Sequence, residues 1–203
     1  MIIIGDSSVG KTSILMRLVR NQFDDQCMTT LGAGFKTKEI TYYDHHSERM
    51  SMKLSIWDTA GQEKFDSLTK MYFNNTEAAL IVYDVTSELS FEKVKKWVTD
   101  LNDHEVSSKT KIAKFIVGNK IDCNNIEVLA KQGLEYASTI GAEFHEVSAK
   151  NDTNITPMFQ DVCLQIAKIQ EAANAGAVGA AGDKIDPNRK KSVLVDGKNH
   201  QDR

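Results

Sequence analysis

The sequence predicts an α/β fold: a doubly wound, mostly parallel six-stranded sheet with one antiparallel edge strand. Three observations lead there. Apolar runs of strand length alternate with amphipathic helical stretches, the pattern left by parallel strands joined through crossover helices. One pair of segments instead alternates apolar and polar residues about a polar turn, which reads as an antiparallel hairpin. The chain also opens on a wholly apolar strand that enters a glycine-containing loop and then a helix, and such a strand belongs in the buried middle of a sheet covered on both faces.

Taken in order, Ile2 to Ile4 is that first strand. Lys11 to Asn21 then places Ile14, Leu15, Leu18 and Val19 on one helical stripe. Phe23 to Gly34 follows neither period, and its aspartates, threonines and glycines suit a loop. The hairpin spans Phe35 to Tyr43 and Met50 to Asp58 around Asp44-His45-His46-Ser47-Glu48-Arg49. Adjacent side chains in an extended segment point apart, so His45 and His46 are expected to be solvated turn residues rather than a metal site. Beyond a weakly periodic stretch to Asn75, Ala79 to Val85 is a strand and Ser90 to Leu101 a helix with Phe91, Val94, Trp97, Val98 and Leu101 inward. Ile112 to Val117 is the next strand, Ile126 to Ile140 a helix closed by Gly141, Phe144 to Val147 the last strand and Ile155 to Ile169 the last helix.

With 203 residues, 41 % of them hydrophobic, the chain can bury one good core. We expect one folded domain over 1–170. Alanine and glycine, then mixed charge, dominate 171–203, which is expected to be a tail. A net charge of −3 leaves no basic footprint for nucleic acid. No run of apolar residues is long enough for a membrane span and no leader is evident, so a cytoplasmic location is expected. Cys27, Cys123 and Cys163 are odd in number and widely spaced, which argues against disulfides or zinc; they read as small apolar fillers.

The chemistry lies in the loops after the strands, where ligands sit in such sheets. Gly5-Asp6-Ser7-Ser8-Val9-Gly10-Lys11-Thr12 fits the phosphate-binding pattern G-x-x-x-x-G-K-[ST] in strand–loop–helix context. Main-chain N–H groups from Ser7 to Ser13 can turn around an anion at the positive end of a helix dipole. Lys11 adds a point charge and Thr12 a hydroxyl for Mg²⁺. Asn119-Lys120-Ile121-Asp122 addresses the base: one carboxylate accepts two parallel hydrogen bonds from guanine, whereas adenine presents an acceptor in place of the first donor. The wrong base would leave the Asp122 charge unpaired. Lys120 can lie along the ring plane, Asn119 can tie this loop to the phosphate loop, and Ser148-Ala149-Lys150 offers a main-chain N–H for the guanine oxygen.

Together with Thr30 to Phe35 and Trp57 to Glu63, these motifs resemble the Ras superfamily of small GTPases, and most closely the Rab family, over about residues 1–170. Ser67 to Phe73 and Tyr83-Asp84-Val85-Thr86 are similar to the early-endosomal branch. The resemblance implies a phosphate-loop NTPase fold, bound GTP or GDP with Mg²⁺, and a switch that hydrolyses GTP in vesicle traffic. It implies that Thr30 reaches Mg²⁺ and the γ-phosphate, that Asp58 sits behind a Mg²⁺-bound water, and that the Gly61 N–H contacts the γ-phosphate. Phe23 would stack on the base edge, and Gln62 would orient the attacking water. Phe35, Trp57 and Tyr72 would be the aromatic triad shown to effectors.

Arg17 and Arg20 lie on the first helix away from the γ-phosphate, so an activating protein is expected to supply the catalytic arginine. An exchange factor and effectors are the other partners implied, the protein itself being a monomer. Three positions depart from the Rab pattern: Ser8 replaces a glycine, Gly34 stands where an acidic residue is common, and the hairpin around His45 is longer. No cysteine follows Cys163, whereas Rab proteins end in prenylated cysteines, so a lipid anchor is not expected from these residues. The competing readings are a catalytically weak GTP-binding module without lipid, a Ran-like soluble switch, and an adenine-nucleotide kinase, the last opposed by Asp122.

Overall fold

The computed structural model describes residues 1–25, 30, 32–61 and 70–179, with the backbone alone for 175–179. Its elements in chain order are β1 (Ile2–Gly5), α1 (Lys11–Arg20), β2 (Ala33–Tyr43), β3 (Arg49–Thr59), β4 (Ala78–Asp84), α2 (Glu88–Glu92), α3 (Val94–Ser108), β5 (Ala113–Asn119), α4 (Ala130–Ile140), β6 (Glu143–Val147) and α5 (Ile155–Gly179). They form one six-stranded sheet in the order β2-β3-β1-β4-β5-β6. Only the β2–β3 pair is antiparallel. The predicted architecture is the observed one.

β1 is central because every one of its residues is buried and it pairs on both edges, Ile2 with Trp57 on β3 and with Ala79 on β4. Alternation along a strand sends neighbours to opposite faces. Ile3 joins Ile14, Leu15, Val117, Phe159 and Ile166 on the face covered by α1 and α5. Ile2 and Ile4 join Ile81, Tyr83, Trp97, Leu101 and Val128 on the other, under α3 and α4. The order of connections reverses beside β1, so its carboxyl end opens onto the crevice where open α/β sheets bind ligands.

Several boundaries differ from expectation, each for a local reason. The helical stretch after β4 is two helices that meet at Lys93, whose ammonium pairs with Asp6 of the loop after β1 at 2.7 Å. The second of these runs on to Ser108. α4 starts at Ala130 rather than Ile126, because the N–H groups of Glu127 and Val128 both donate to Val85 O, at 2.9 and 3.0 Å. Those bonds strap the preceding segment across the end of β4 and bury Val128 completely. α5 continues to Gly179, consistent with the high helix propensity of its alanines; the remaining tail, 180–203, lies outside the described residues, as does Cys27.

At the hairpin tip, Asp44 Oδ1 accepts the N–H groups of His46 and Glu48. That closed turn places the His45 and His46 rings 4.0 Å apart; they do not point apart as an extended segment would require.

Candidate nucleotide site

A cavity of about 350 Å³ opens above the carboxyl ends of β1, β3 and β5. Of the residues the sequence nominates, Ser7, Ser8, Gly10, Lys11, Thr12, Ser13, Phe23, Thr30, Gly61, Asn119, Lys120, Asp122, Ala149 and Lys150 line it. Of the nominated nucleotide contacts, Val9 and Ser148 do not. Both are buried and act on the lining through the hydrogen bonds below.

The loop after β1 delivers the start of α1 to this cavity. Gly10 adopts φ 94°, and a β-carbon there would fall 2.3 Å from Asn119 Nδ2, so the turn requires glycine both for conformation and for room. Lys11 is buried, and its ammonium donates to Gly5 O at 2.9 Å and Asp6 O at 2.6 Å. Burial lowers its pKa to about 8, against the opposing pull of Asp58 and Asp6. Gly61 closes the far wall: a β-carbon on it would lie 2.3 Å from Asp6 O and 2.5 Å from Lys11 Nζ. Ser8 is exposed and sits at φ 62°. Its departure from glycine therefore costs backbone strain, with its side chain facing solvent.

Three segments distant in sequence meet beside Lys11. The Thr12 hydroxyl donates to Asp58 Oδ2 at 2.6 Å and lies 2.7 Å from the Thr30 hydroxyl. Asp58 is buried, and that burial raises its pKa despite the Thr12 bond and the nearby Lys11. Its other oxygen, Oδ1, has no hydrogen-bond partner among the described residues. An orphaned buried carboxylate oxygen beside two hydroxyls is a hard-oxygen donor set, which suits a cation such as Mg²⁺ that keeps part of its coordination for water and phosphate. Gln62, four residues after Asp58, lies outside the described residues.

The other end of the cavity is held by Asn119. Its Nδ2 donates to Val9 O at 2.9 Å, and its Oδ1 accepts the Ala149 N–H at 3.2 Å. One side chain thus ties the loops after β1, β5 and β6. Asp122 Oδ1 accepts the Ser148 hydroxyl at 2.5 Å, which fixes the carboxylate and, with two lone pairs on each oxygen, leaves both oxygens able to accept a further donor. Lys120 takes φ 72° and pairs with Asp84 Oδ2 at 2.5 Å. Asp84 is in turn held by the N–H and hydroxyl of Thr86.

Sequence reasoning did not find the Lys120–Asp84 pair, nor the walls supplied by Asp24, Asp25, Thr59 and Cys123. Cys123 is part-exposed on that wall, which corrects its reading as an apolar filler. Cys163 is fully buried, and burial pushes its thiol up to about 11. Outside the cavity, Trp57 packs between Phe35 and Tyr72, with ring centroids 4.8 and 4.9 Å away. Phe35 is 47 % exposed, so the row presents an aromatic surface that runs inward from the edge strand β2 across β3.

A strand, an anion-cradling loop and a helix at the switch point of a parallel sheet, joined by a carboxylate-bearing base loop, define a phosphate-loop nucleotide-binding protein. A model of the Ras family matches residues 1–168. Ras-related protein Rab-31 of Mus musculus is 41 % identical over 191 residues, 93 % of this chain and 94 % of that protein. Rab-22A of Mus musculus is 39 % identical over 87 % of this chain and 88 % of its own. Rab-21 of Mus musculus is 38 % identical over 90 % and 80 %. The chain belongs to the Ras family, as a small GTPase of Rab type that switches vesicle traffic. Among the described residues no helix is long and apolar enough to cross a membrane.

Proposed function

We propose that the cavity holds GTP or GDP with Mg²⁺, the two nucleotides giving the loops around it two states. The meeting of Thr12, Thr30 and Asp58 carries this reading, because it joins three segments at a point where Asp58 Oδ1 still needs a partner. In it, Ser7 to Ser13 cradle the phosphates, Lys11 faces the outer ones, and Asp122 with the loop 148–150 reads guanine. Phe23 covers the base edge. The Thr12 and Thr30 hydroxyls would hold Mg²⁺ with Asp58 behind them, and the ion when bound neutralises charge on the phosphates. Loss of the γ-phosphate removes what tethers Thr30 and the Gly61 N–H, an order-to-disorder switch.

Gln62 orients the attacking water, and Lys11 and Thr30 stabilise the transferred group. Turnover is slow until an activating protein supplies an arginine, worth roughly 10³ to 10⁵ in rate. Phe35, Trp57 and Tyr72 display the state to effectors, and an exchange factor resets it. The working unit is a monomeric domain over 1–170 followed by a tail, acting in the cytoplasm and on the cytosolic face of endomembranes. Single-turnover release of γ-phosphate from the loaded protein tests the catalytic part. The wild type is expected to release it at least about tenfold faster than Gln62→Leu when an activating protein is present, and equal rates would leave a binding module without catalysis.

A further inference from the structure

Arg17 lies outside the cavity wall, yet it spends its guanidinium on the loop that the guanine reading depends on. Its Nε donates to Ala149 O at 2.8 Å and one terminal nitrogen to Lys150 O at 2.8 Å. The other donates to Asn21, at 3.1 Å to the carbonyl and 3.0 Å to Oδ1. The fork therefore grips two successive carbonyls, a geometry for which a planar guanidinium is suited and a lysine ammonium is not. In a trans peptide the N–H points opposite to the C=O. Holding Ala149 O toward Arg17 thus turns the Lys150 N–H the other way, to the side on which Ala149 and Lys150 line the cavity. Asn119 Oδ1 orients the Ala149 N–H from that side.

We propose that Arg17 is a positioning residue for base recognition: it sets the Ala149–Lys150 peptide plane so that the Lys150 N–H meets the oxygen at position 6 of guanine. The inference rests on the guanine-nucleotide reading above. It also couples the two ends of the site. Lys11 and Arg17 stand on one short helix, six residues apart (17 − 11), a rise of about 9 Å, so a shift of α1 at the phosphates is transmitted to the base loop.

The test uses the full chain as wild type, Arg17→Met and Arg17→Lys, loaded with GDP or with 6-thio-GDP, in which sulfur replaces the base oxygen as a weaker acceptor. Dissociation is followed on dilution into excess unlabelled GDP. Arg17→Met keeps the apolar stem and removes the donors; GDP release is expected to rise roughly tenfold, the scale of a lost charge-assisted hydrogen bond. Release of 6-thio-GDP should rise much less, so the ratio of the two rates shrinks, with Arg17→Lys between. A merely structural role would speed both equally, and an unchanged ratio in both variants overturns the proposal. Wild type that retains GDP separates that result from failure of the guanine reading, which would show instead as wild type holding no GDP and would overturn both.

Discussion

Truncating Asn119 to alanine is the sharpest probe of how the cavity is held together. The side chain is 2 % exposed and joins three loops through Val9 O at 2.9 Å and the Ala149 N–H at 3.2 Å. Alanine leaves both of those main-chain groups without their partner. An orphaned buried donor or acceptor costs about 1–3 kcal/mol, so the pair costs about 2–6. The bond to Ala149 is long and the cavity lies alongside, so water reaches part of the gap and the lower half of that range applies, about 3 kcal/mol. For a domain of this size 1 kcal/mol moves Tm by about 2–4 °C, which gives a fall of roughly 6–12 °C.

Nucleotide binding suffers as well, because loops freed in the apo state must be ordered again when ligand arrives. If half of the loss, about 1.5 kcal/mol, is recovered only on binding, the Kd for GDP rises about tenfold. Thermal unfolding without nucleotide and GDP titration measure the two parts. Asn74→Ala is the control, since that exposed amide bonds Met71 O at 3.3 Å and no other group among the described residues, and should move Tm by about 1 °C or less. A Tm within about 2 °C of wild type together with a Kd within about threefold would show that Asn119 does not brace the site.

Two further perturbations test the phosphate end. Lys11 is lowered to about 8 by burial, so between about pH 8 and its ordinary value an unfolded chain holds a proton the folded apo chain has released, and apo stability rises with pH across that window. Bound polyphosphate restores the proton; calorimetry of GDP binding at about pH 9 should therefore show proton uptake as a buffer-dependent heat that vanishes near pH 6.5, and identical heats in all buffers at the higher pH would refute it. Ser8→Gly removes a left-handed strain of about 1–2 kcal/mol at φ 62° and adds about 0.5–1 kcal/mol of unfolded-state entropy, so Tm should rise by roughly 1–3 °C; a fall would mean that the serine side chain makes a contact worth more than its strain.

The fold was legible wherever burial on two faces or one leaves a period in the sequence. β1 and β4 read as unbroken apolar runs because they are central, and both are buried throughout. The hairpin read as alternation because β2 is an edge strand with one wet side, though its exposed Phe35 breaks the pattern. Helix limits failed where a tertiary hydrogen bond outweighed the period, as at Val128, whose N–H is committed to Val85 O. Nothing local distinguishes that valine from one in a first helical turn.

The site divides along the same line. Lys11 with Thr12, and Asn119 with Asp122, stood out because in each pair the spacing along one loop is itself the device, and a loop that must cradle an anion or read a base keeps its register in sequence. The bonds that hold those loops to one another have no such register. Arg17 reaches Ala149 across 132 positions, and Lys120 finds Asp84 on a neighbouring strand; each looks like an ordinary surface charge until the sheet brings its partner alongside. Contacts of this kind are set by strand order, which fixes what lies beside β1 and β5, so they become visible only once the order β3-β1-β4-β5-β6 is known. The residues that touch the nucleotide are therefore readable from motif, whereas those that decide how firmly the loops stand around it are readable only from topology.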